Sequence, residues 1–385
     1  NDECKKFWPH VLDKNKFDPV DDQLAARMHK AIAIMQFKLE GQLIKENPEF
    51  DLDKRLLLDK IDFENGTVNV EGTVYPLNDT FFPTIDPNNP YKLTEDERAV
   101  MNSLSASIIN SERLQTHIRY MFSHGALYKR INGNLLFHGC IPMDENGDFL
   151  PVDIYGAKCA GRALMDHLDK QIRASYFSPE KIKKYGKPGD LMWYLWLAKD
   201  SPLFGKEKMT TFERLFIDDK ASHKEHVRPY YKLINSKEPC EKILREFGLD
   251  PSHSKILNGH VPVKIKNGES PIKGGGLLYV IDGGISKAYQ KQTGIAGYTF
   301  IFNSRFMALA EHKPYEPLRE DGTQKFFSPS MKTVDTLKTR MLVIDTDEGA
   351  ELLRQAEAVK RLVEAYKTGE IKERPEGKYS AYKGK

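Results

Sequence analysis

Three short apolar runs along the chain each end at a polar residue beside glycine. They are 135–137 before His138-Gly139, 256–257 before Asn258-Gly259-His260, and 277–281 before Asp282-Gly283. Short bounded apolar runs predict buried strands, and ligands of open α/β sheets bind beyond the carboxyl ends of the strands. Because neutral imidazole is a common metal ligand, the pattern predicts a metal site at one sheet edge with His138 and His260 as ligands.

Apolar residues at steps of three and four predict amphipathic helices in the first 125 residues and near the end of the chain. The four stripes are Leu24, Met28, Ile32, Met35, Leu39 and Leu43; Val100, Leu104 and Ile108; Leu114, Ile118 and Met121; and Leu352, Ala356, Val359, Leu362, Val363 and Tyr366. We expect all four stripes to face the core. Thr94 with Glu97 fits a capping box before the second helix, and Gly369 fits the end of the last.

Glycine turns and short apolar segments organise the rest of the chain. The spacing predicts hairpins at 62–75 and around Asn132-Gly133, helices over 156–176 and 239–247, strands over 298–302, 306–309 and 341–344, and a loop from 311 to about 339. Short strands among helices indicate an α/β protein.

Composition excludes several classes of protein. The 385 residues carry a net charge of only +3, so nothing indicates a nucleic-acid partner. The four cysteines form no CxxC pair, which argues against a zinc ribbon or a disulfide framework and favours a reducing compartment. No apolar stretch has the length of a membrane span and no signal peptide is visible. We therefore expect a cytoplasmic protein without a membrane partner; whether identical chains associate stays open.

A basic, glycine-rich segment follows His260 and includes Lys264 and Lys273. Backbone N–H groups beside lysines can hold a phosphate, whereas an exposed hairpin with solvated lysines is the alternative. Neither a Walker A sequence nor a GxGxxG fingerprint is present. Nucleotide-dependent phosphoryl transfer therefore loses its usual signature, and the two imidazoles would suit Zn, Mn, Fe or Ni.

Seven strings resemble class III fructose-1,6-bisphosphatase. They are CKKFWP at 4–9, AARMHKA at 25–31, DSPLFGK at 200–206, NGHVPVK at 258–264, GESPIK at 268–273, IDGGISKAYQ at 281–290 and TGIAGYT at 293–299. The resemblance extends to about residue 367. It implies a calcineurin-like metallophosphoesterase, because His138 and Gly259-His260 resemble the last two metal-binding motifs of that superfamily.

The resemblance implies the C-terminal half of a calcineurin-like α/β sandwich with a mainly helical insertion. The helical insertion would occupy residues 1–125 and the α/β core 126–311. Residues 312–385 would form a loop, a strand, a helix and a loose basic tail. The DxH, GDxxDRG and GNH[DE] motifs of the superfamily are absent from this sequence, and we expect them, with the catalytic residues, upstream of Asn1.

The implied reaction removes the 1-phosphate of fructose 1,6-bisphosphate and gives fructose 6-phosphate. The implied cofactor is a binuclear Mn²⁺ site that residues upstream would complete around His138 and His260. Lys264, Lys273, Asp282 and Lys287 are the candidate substrate ligands, although Asp282 equally suits a turn that caps Gly283-Gly284. If those upstream motifs are truly absent, we expect this segment alone to be inactive. A phosphoprotein phosphatase of the same superfamily and a non-catalytic regulatory or scaffold fragment are the alternatives.

Overall fold

A computed structural model describes residues 4–9, 21–177, 188–284, 293–294, 297–313, 321 and 330–372. The chain divides into two compact units. The first comprises Asn1–Lys129, Leu135–Pro262 and Pro271–Val280, and the second comprises Arg130–Asn134, Val263–Ser270 and Ile281–Lys385. Helices and small sheets occur together, so the predicted α/β class is confirmed in this general form. None of the described helices combines the length and the apolar character that crossing a bilayer requires.

The helices alternate with short strands along the chain. The described α-helices are α1 (Asp22–Glu46), α2 (Glu95–Ile109), α3 (Glu112–His124), α4 (Gly161–Phe177), α5 (Pro188–Leu197), α6 (Thr211–Phe216), α7 (Tyr230–Leu233), α8 (Lys237–Glu246) and α9 (Asp347–Lys367). The described strands are β1 (Ile61–Asp62), β2 (Thr67–Val70), β3 (Thr73–Pro76), β4 (Tyr128–Ile131), β5 (Asn134–Phe137), β6 (Val152–Ile154), β7 (Ala157–Cys159), β8 (Ile256–Asn258), β9 (Ile272–Lys273), β10 (Leu278–Val280), β11 (Gly297–Phe302), β12 (Phe306–His312) and β13 (Ser330–Thr336).

A five-stranded sheet of order β4-β5-β8-β10-β9 contains the three predicted apolar runs. β5 and β10 both pair with β8 in parallel, and Ile256 lies opposite Leu135 on one side and Leu278 on the other. Leu135, Ile256 and Leu278 are completely buried. The three carboxyl ends therefore meet at one edge, as predicted, and β9 closes the other side of β10 in antiparallel pairing.

Several predicted turns and helix ends are confirmed. β1, β2 and β3 form an antiparallel sheet. Asn132 and Gly133 both have positive φ, at 47° and 76°, as a tight hairpin turn requires. Thr94 and Glu97 form the complete capping box of α2, and Gly369 follows α9 with φ at 75°. These features depend on residues that are close together in the chain, so they can be predicted from the sequence.

The predicted burial of the helical stripes is largely wrong. Residues of these stripes that are at least one-third exposed are Leu24, Met28, Ile32, Val100, Leu104, Ile108, Leu114, Met121, Leu352, Val359, Leu362, Val363 and Tyr366, and Ala356 is exposed as well. On α1 the buried face instead includes Ala26, Ile34 and Ile44. On α9, Gly349 is the buried residue.

Two buried lysines explain why α1 presents the other face. The Lys38 ammonium group is completely buried and lies 2.7 Å from the Glu97 carboxylate. Lys30 lies 2.7 Å from both carboxylate oxygens of Asp79 and donates to the Phe81 carbonyl as well. Buried charges are tolerated when they are paired and hydrogen-bonded. The ion pairs therefore let α1 bury a face that a hydrophobic pattern alone would place in solvent.

Three element assignments also differ from the prediction. Residues 341–344 form no strand; Val343–Asp345 is a 3-10 helix. The predicted loop from 311 to 339 contains β13, which pairs with β12 in an antiparallel sheet with β11. The helix predicted from 156 begins at Gly161 because β6 and β7 form a hairpin first. The division into domains at 125 and 311 stays a prediction.

Candidate metal site

His138 and His260 come together at the carboxyl edge of the parallel strands. His138 follows β5 directly, and His260 lies two residues beyond β8. His138 Nε2 lies 3.1 Å from His260 Nδ1, and the ring centroids are 4.9 Å apart. The His138 ring is exposed and His260 is half-buried. The two histidines predicted as ligands therefore lie side by side at one sheet edge, and their binding of a metal stays a prediction.

The distance between the two nitrogens suits a shared ion. Two nitrogens that bind one metal at roughly 2.0–2.3 Å lie roughly 3–4 Å from each other, and the observed 3.1 Å falls in that range. No group of three or more His, Cys, Asp or Glu residues with metal-binding geometry occurs among the described residues. The histidine pair thus supplies part of a coordination sphere.

The backbone around His260 adopts a rare conformation. His260 has φ at 66°, and the Val261 N–H donates to the Gly259 carbonyl at 2.8 Å, across His260. This three-residue turn with positive φ is strained for any residue that carries a side chain. The Gly259 N–H also donates to the His138 carbonyl at 2.8 Å. The turn therefore sets the direction of the His260 side chain, and its first residue, Gly259, is hydrogen-bonded to the His138 backbone.

The segment 200–205 packs against the same turn. The Cys140 N–H donates to the Pro202 carbonyl at 2.9 Å, and a Cβ on Gly139 would lie 2.6 Å from that carbonyl oxygen. Position 139 must therefore be glycine for this close approach. The Phe204 ring lies 6.5 Å from the His260 ring. The string DSPLFGK, one of those that carry the family resemblance, thus lies beside His260.

Cys140 does not add a nucleophile to the site. Burial raises the pKa of its thiol to about 12, although nearby Arg228 opposes the shift. A thiol that stays protonated at neutral pH is a poor nucleophile. Its Sγ instead contacts the Ser201 carbonyl at 3.6 Å. We interpret Cys140 as a packing residue.

The predicted substrate ligands occupy different parts of the chain. Lys273 is the second residue of β9, opposite Leu278, and is half-buried. Lys264 and Asp282 belong to the second unit, and Asp282 Oδ1 accepts a hydrogen bond from the Gly284 N–H at 2.7 Å. That bond is the one expected of the turn interpretation of Asp282. Lys287 lies outside the described residues, and substrate contact by all four stays a prediction.

The model of the family described as Firmicute fructose-1,6-bisphosphatase matches residues 1–368 of the chain. The chain belongs to this family. The Firmicute fructose-1,6-bisphosphatase match ends where the predicted resemblance ends, just after α9.

Curated relatives in this fructose-1,6-bisphosphatase family are similar along nearly the whole chain. Fructose-1,6-bisphosphatase class 3 of Clostridium tetani is 51% identical over 377 residues, which is 97% of this chain and 56% of the relative. The proteins of the same name from Clostridium acetobutylicum and Clostridium novyi are 50% and 48% identical, again over 97% of this chain and 56% of theirs. The chain thus spans little more than half the length of these relatives. No solved structure matches the chain.

Asn258 ends one of the predicted apolar strands, but sequence reasoning assigned no role to its side chain. Its side-chain amide is buried and donates to the Gly139 carbonyl, 119 positions away along the chain. Such a contact depends on the parallel pairing of β5 with β8. A polar residue at the end of an otherwise apolar buried strand is the signal that could have indicated it, because buried amides require partners.

Proposed function

We propose that the protein is a metal-dependent phosphatase that removes the 1-phosphate of fructose 1,6-bisphosphate and releases fructose 6-phosphate. The observation that supports it best is the His138–His260 pair, whose ring nitrogens lie 3.1 Å apart at a strand edge. This pair occurs in a chain of the Firmicute fructose-1,6-bisphosphatase family. The relatives named fructose-1,6-bisphosphatase class 3 support the same substrate.

His138 and His260 would hold one ion through the two nitrogens that now face each other. We propose Mn²⁺ as the metal and residues upstream of Asn1, in a calcineurin-like sandwich, as the source of the other ligands of a binuclear site. Such a pair of ions supplies an activated water and neutralises charge on the phosphate in the transition state. The exposed His138 ring leaves the site open to a phosphate from solvent. The four cysteines form no disulfide, which supports a cytoplasmic location.

The proposed function is tested by phosphate release from two substrates. The full-length protein is expected to hydrolyse fructose 1,6-bisphosphate faster than a phosphoserine peptide, to lose activity with EDTA, and to regain it with Mn²⁺. Faster hydrolysis of the peptide would favour a phosphoprotein phosphatase. Failure to bind Mn²⁺, together with no activity on either substrate, would favour the non-catalytic scaffold.

Lys273→Ala is expected to raise KM for fructose 1,6-bisphosphate by about tenfold or more. A bisphosphate has a second phosphate that requires its own cation, and a charged hydrogen bond contributes about 1.5–3 kcal/mol. Among the described residues, no carboxylate pairs with the Lys273 ammonium group, so it is available to an anion. Steady-state kinetics with the bisphosphate and with p-nitrophenyl phosphate measure the effect.

The KM for p-nitrophenyl phosphate is expected to rise far less, because this monophosphate has no second phosphate for Lys273 to bind. Lys158→Ala is the control, since Lys158 is also a strand lysine of the first unit. Equal losses on both substrates would instead place Lys273 at the phosphate that is cleaved. Unchanged KM on both would leave Lys273 a solvated lysine at the end of β9.

A further inference from the structure

One buried amide connects the backbone beside both histidines. Asn258 ends β8 and is 2% exposed. Its Nδ2 donates to the Gly139 carbonyl at 3.1 Å and to the Tyr230 hydroxyl at 2.9 Å. Gly139 follows His138 directly, and Asn258 precedes His260 by two residues. The Asn258 side chain therefore holds the backbone next to His138, while Asn258 itself belongs to the segment that carries His260.

The Asn258 contact continues the sheet beyond its last paired residues. β5 and β8 are in register at Leu135 with Ile256 and at Leu136 with Leu257. Past that point the Gly259 N–H holds the His138 carbonyl at 2.8 Å, and Asn258 Nδ2 holds the next carbonyl. Asn258 and Gly259 thus bond to the consecutive carbonyls of Gly139 and His138. The segments that follow β5 and β8 therefore stay together up to the histidines.

Tyr230 fixes the direction of the Asn258 amide. The Tyr230 side chain is completely buried, and its ring packs edge-on against Phe137 at 6.1 Å and against Tyr231 at 5.2 Å. A ring held on both sides presents its hydroxyl at a defined place. The amide that bonds to this hydroxyl is therefore restricted to one orientation.

One atom of the Asn258 amide is unfavourable for stability. Its Oδ1 is buried and has no hydrogen-bond partner among the described residues. A buried polar atom without a partner destabilises a fold, whereas an apolar side chain of similar shape avoids the loss. His260, two residues later, adopts the left-handed conformation, with φ at 66°. Unfavourable features that persist together indicate a functional site.

We propose that Asn258 is a positioning residue that sets the distance between the ring nitrogens of His138 and His260. This inference rests on the proposed metal site. The amide holds the Gly139 carbonyl, the Gly259 N–H holds the His138 carbonyl, and the strained turn then directs His260 toward His138. Without the amide, the Gly139 carbonyl loses its bond to β8, and the bond from the Gly259 N–H to the His138 carbonyl is the one that still joins this turn to the segment after β8.

The test compares Asn258→Leu with Asn47→Leu in the full-length protein. Asn47 is also buried, and its Nδ2 also donates to one carbonyl, that of Leu43 at 2.9 Å, and to one side chain, Asp190 at 2.9 Å. Mn²⁺ affinity is measured by titration calorimetry. Nitrogen-15 shifts of the two imidazoles are recorded without metal, because they report the His138–His260 hydrogen bond directly.

Asn258→Leu is expected to weaken Mn²⁺ binding by about 10- to 100-fold, as the loss of residues that orient metal ligands does, and to shift both imidazole resonances. Asn47→Leu is expected to leave the affinity and the resonances unchanged while it lowers the melting temperature. Tyr230→Phe keeps the ring and removes one partner of the amide, so we expect a smaller loss of affinity. This variant decides the question if Asn258→Leu does not fold.

The outcomes separate this inference from the function on which it rests. If the wild-type protein binds no Mn²⁺, the proposed metal site is wrong and the inference falls with it. If the wild-type protein binds Mn²⁺ and Asn258→Leu or a folded Tyr230→Phe binds it equally well with unchanged resonances, only the positioning role is wrong. An equal loss of affinity in Asn47→Leu would also overturn the inference, because the effect would then be general destabilisation.

Discussion

Replacing His260 with alanine is expected to lower kcat/KM for fructose 1,6-bisphosphate by about a thousandfold or more. In the proposed metal site His260 contributes one of the two nitrogens that lie 3.1 Å apart, and its loss leaves His138 as the remaining member of the pair. A metal ion at a reacting phosphate stabilises the transition state by several kcal/mol, and about 4 kcal/mol corresponds to a thousandfold in rate. Steady-state kinetics and metal analysis of the purified variant measure both losses.

The control for His260→Ala is His253→Ala, which removes an exposed imidazole from the loop before β8. This variant is expected to keep its activity and its metal. The double variant His138→Ala/His260→Ala is expected to be no worse than either single one, because residues that act as a unit are not additive. Nearly normal turnover by His260→Ala would show that the metal is bound elsewhere.

Lys38→Ala is expected to lower the free energy of unfolding by about 3–5 kcal/mol, the usual result of breaking a buried ion pair. The Lys38 side chain is completely buried and the Glu97 side chain is 10% exposed. Removing the lysine leaves Glu97 without its cation beneath α1. Urea denaturation followed by circular dichroism at pH 7 measures the change.

The pKa of Glu97 determines how the stability lost in Lys38→Ala depends on pH. Burial opposes ionisation of Glu97, but hydrogen bonds from Lys38 and from the Thr94 N–H overcome it and lower its pKa below 4.5. A carboxylate whose pKa is lowered by folding stabilises the protein above the pKa of the unfolded chain. The stability that the wild type gains from the ionised Glu97 is therefore complete above about pH 4.5 and is lost as the pH falls through the lowered pKa, so the advantage of wild type over Lys38→Ala should shrink in acid.

The double variant Lys38→Met/Glu97→Gln serves as the control for this prediction. It removes both charges and keeps an amide oxygen that can accept from the Thr94 N–H. Because no unpaired buried charge remains, we expect it to recover most of the stability that Lys38→Ala loses. If Lys38→Ala and wild type unfold at the same urea concentration, α1 is not held by this ion pair.

The sequence predicted the features that depend on neighbouring residues or on strand direction. The Asn132-Gly133 turn, the Thr94–Glu97 capping box and the three apolar strands are all present. The histidine pair was predictable because parallel strands have their carboxyl ends at one edge. No knowledge of the rest of the fold was necessary for that step.

Burial was not predictable in the same way. α1 carries two stripes with helical spacing, and the choice between them depended on carboxylates of Asp79 and Glu97 far along the chain. A short apolar run such as 341–344 does not distinguish a strand from a helical turn, and it forms a 3-10 helix. The role of Asn258 required knowledge of which carbonyl lies beside it, which only the pairing of β5 with β8 provides.

The parallel pairing of β5 with β8 has a consequence for the order of events in the cell. His138 and His260 are 122 positions apart, so at 5–20 residues per second a ribosome adds the second roughly 6–24 s after the first. Parallel strands pair only after the intervening chain has closed a long loop, which makes them slow to form. During that interval His138 has been synthesised and His260 has not. If the two histidines bind one ion as proposed, its capture by both is a late step in biosynthesis, after the segment from β6 to α8 has been made.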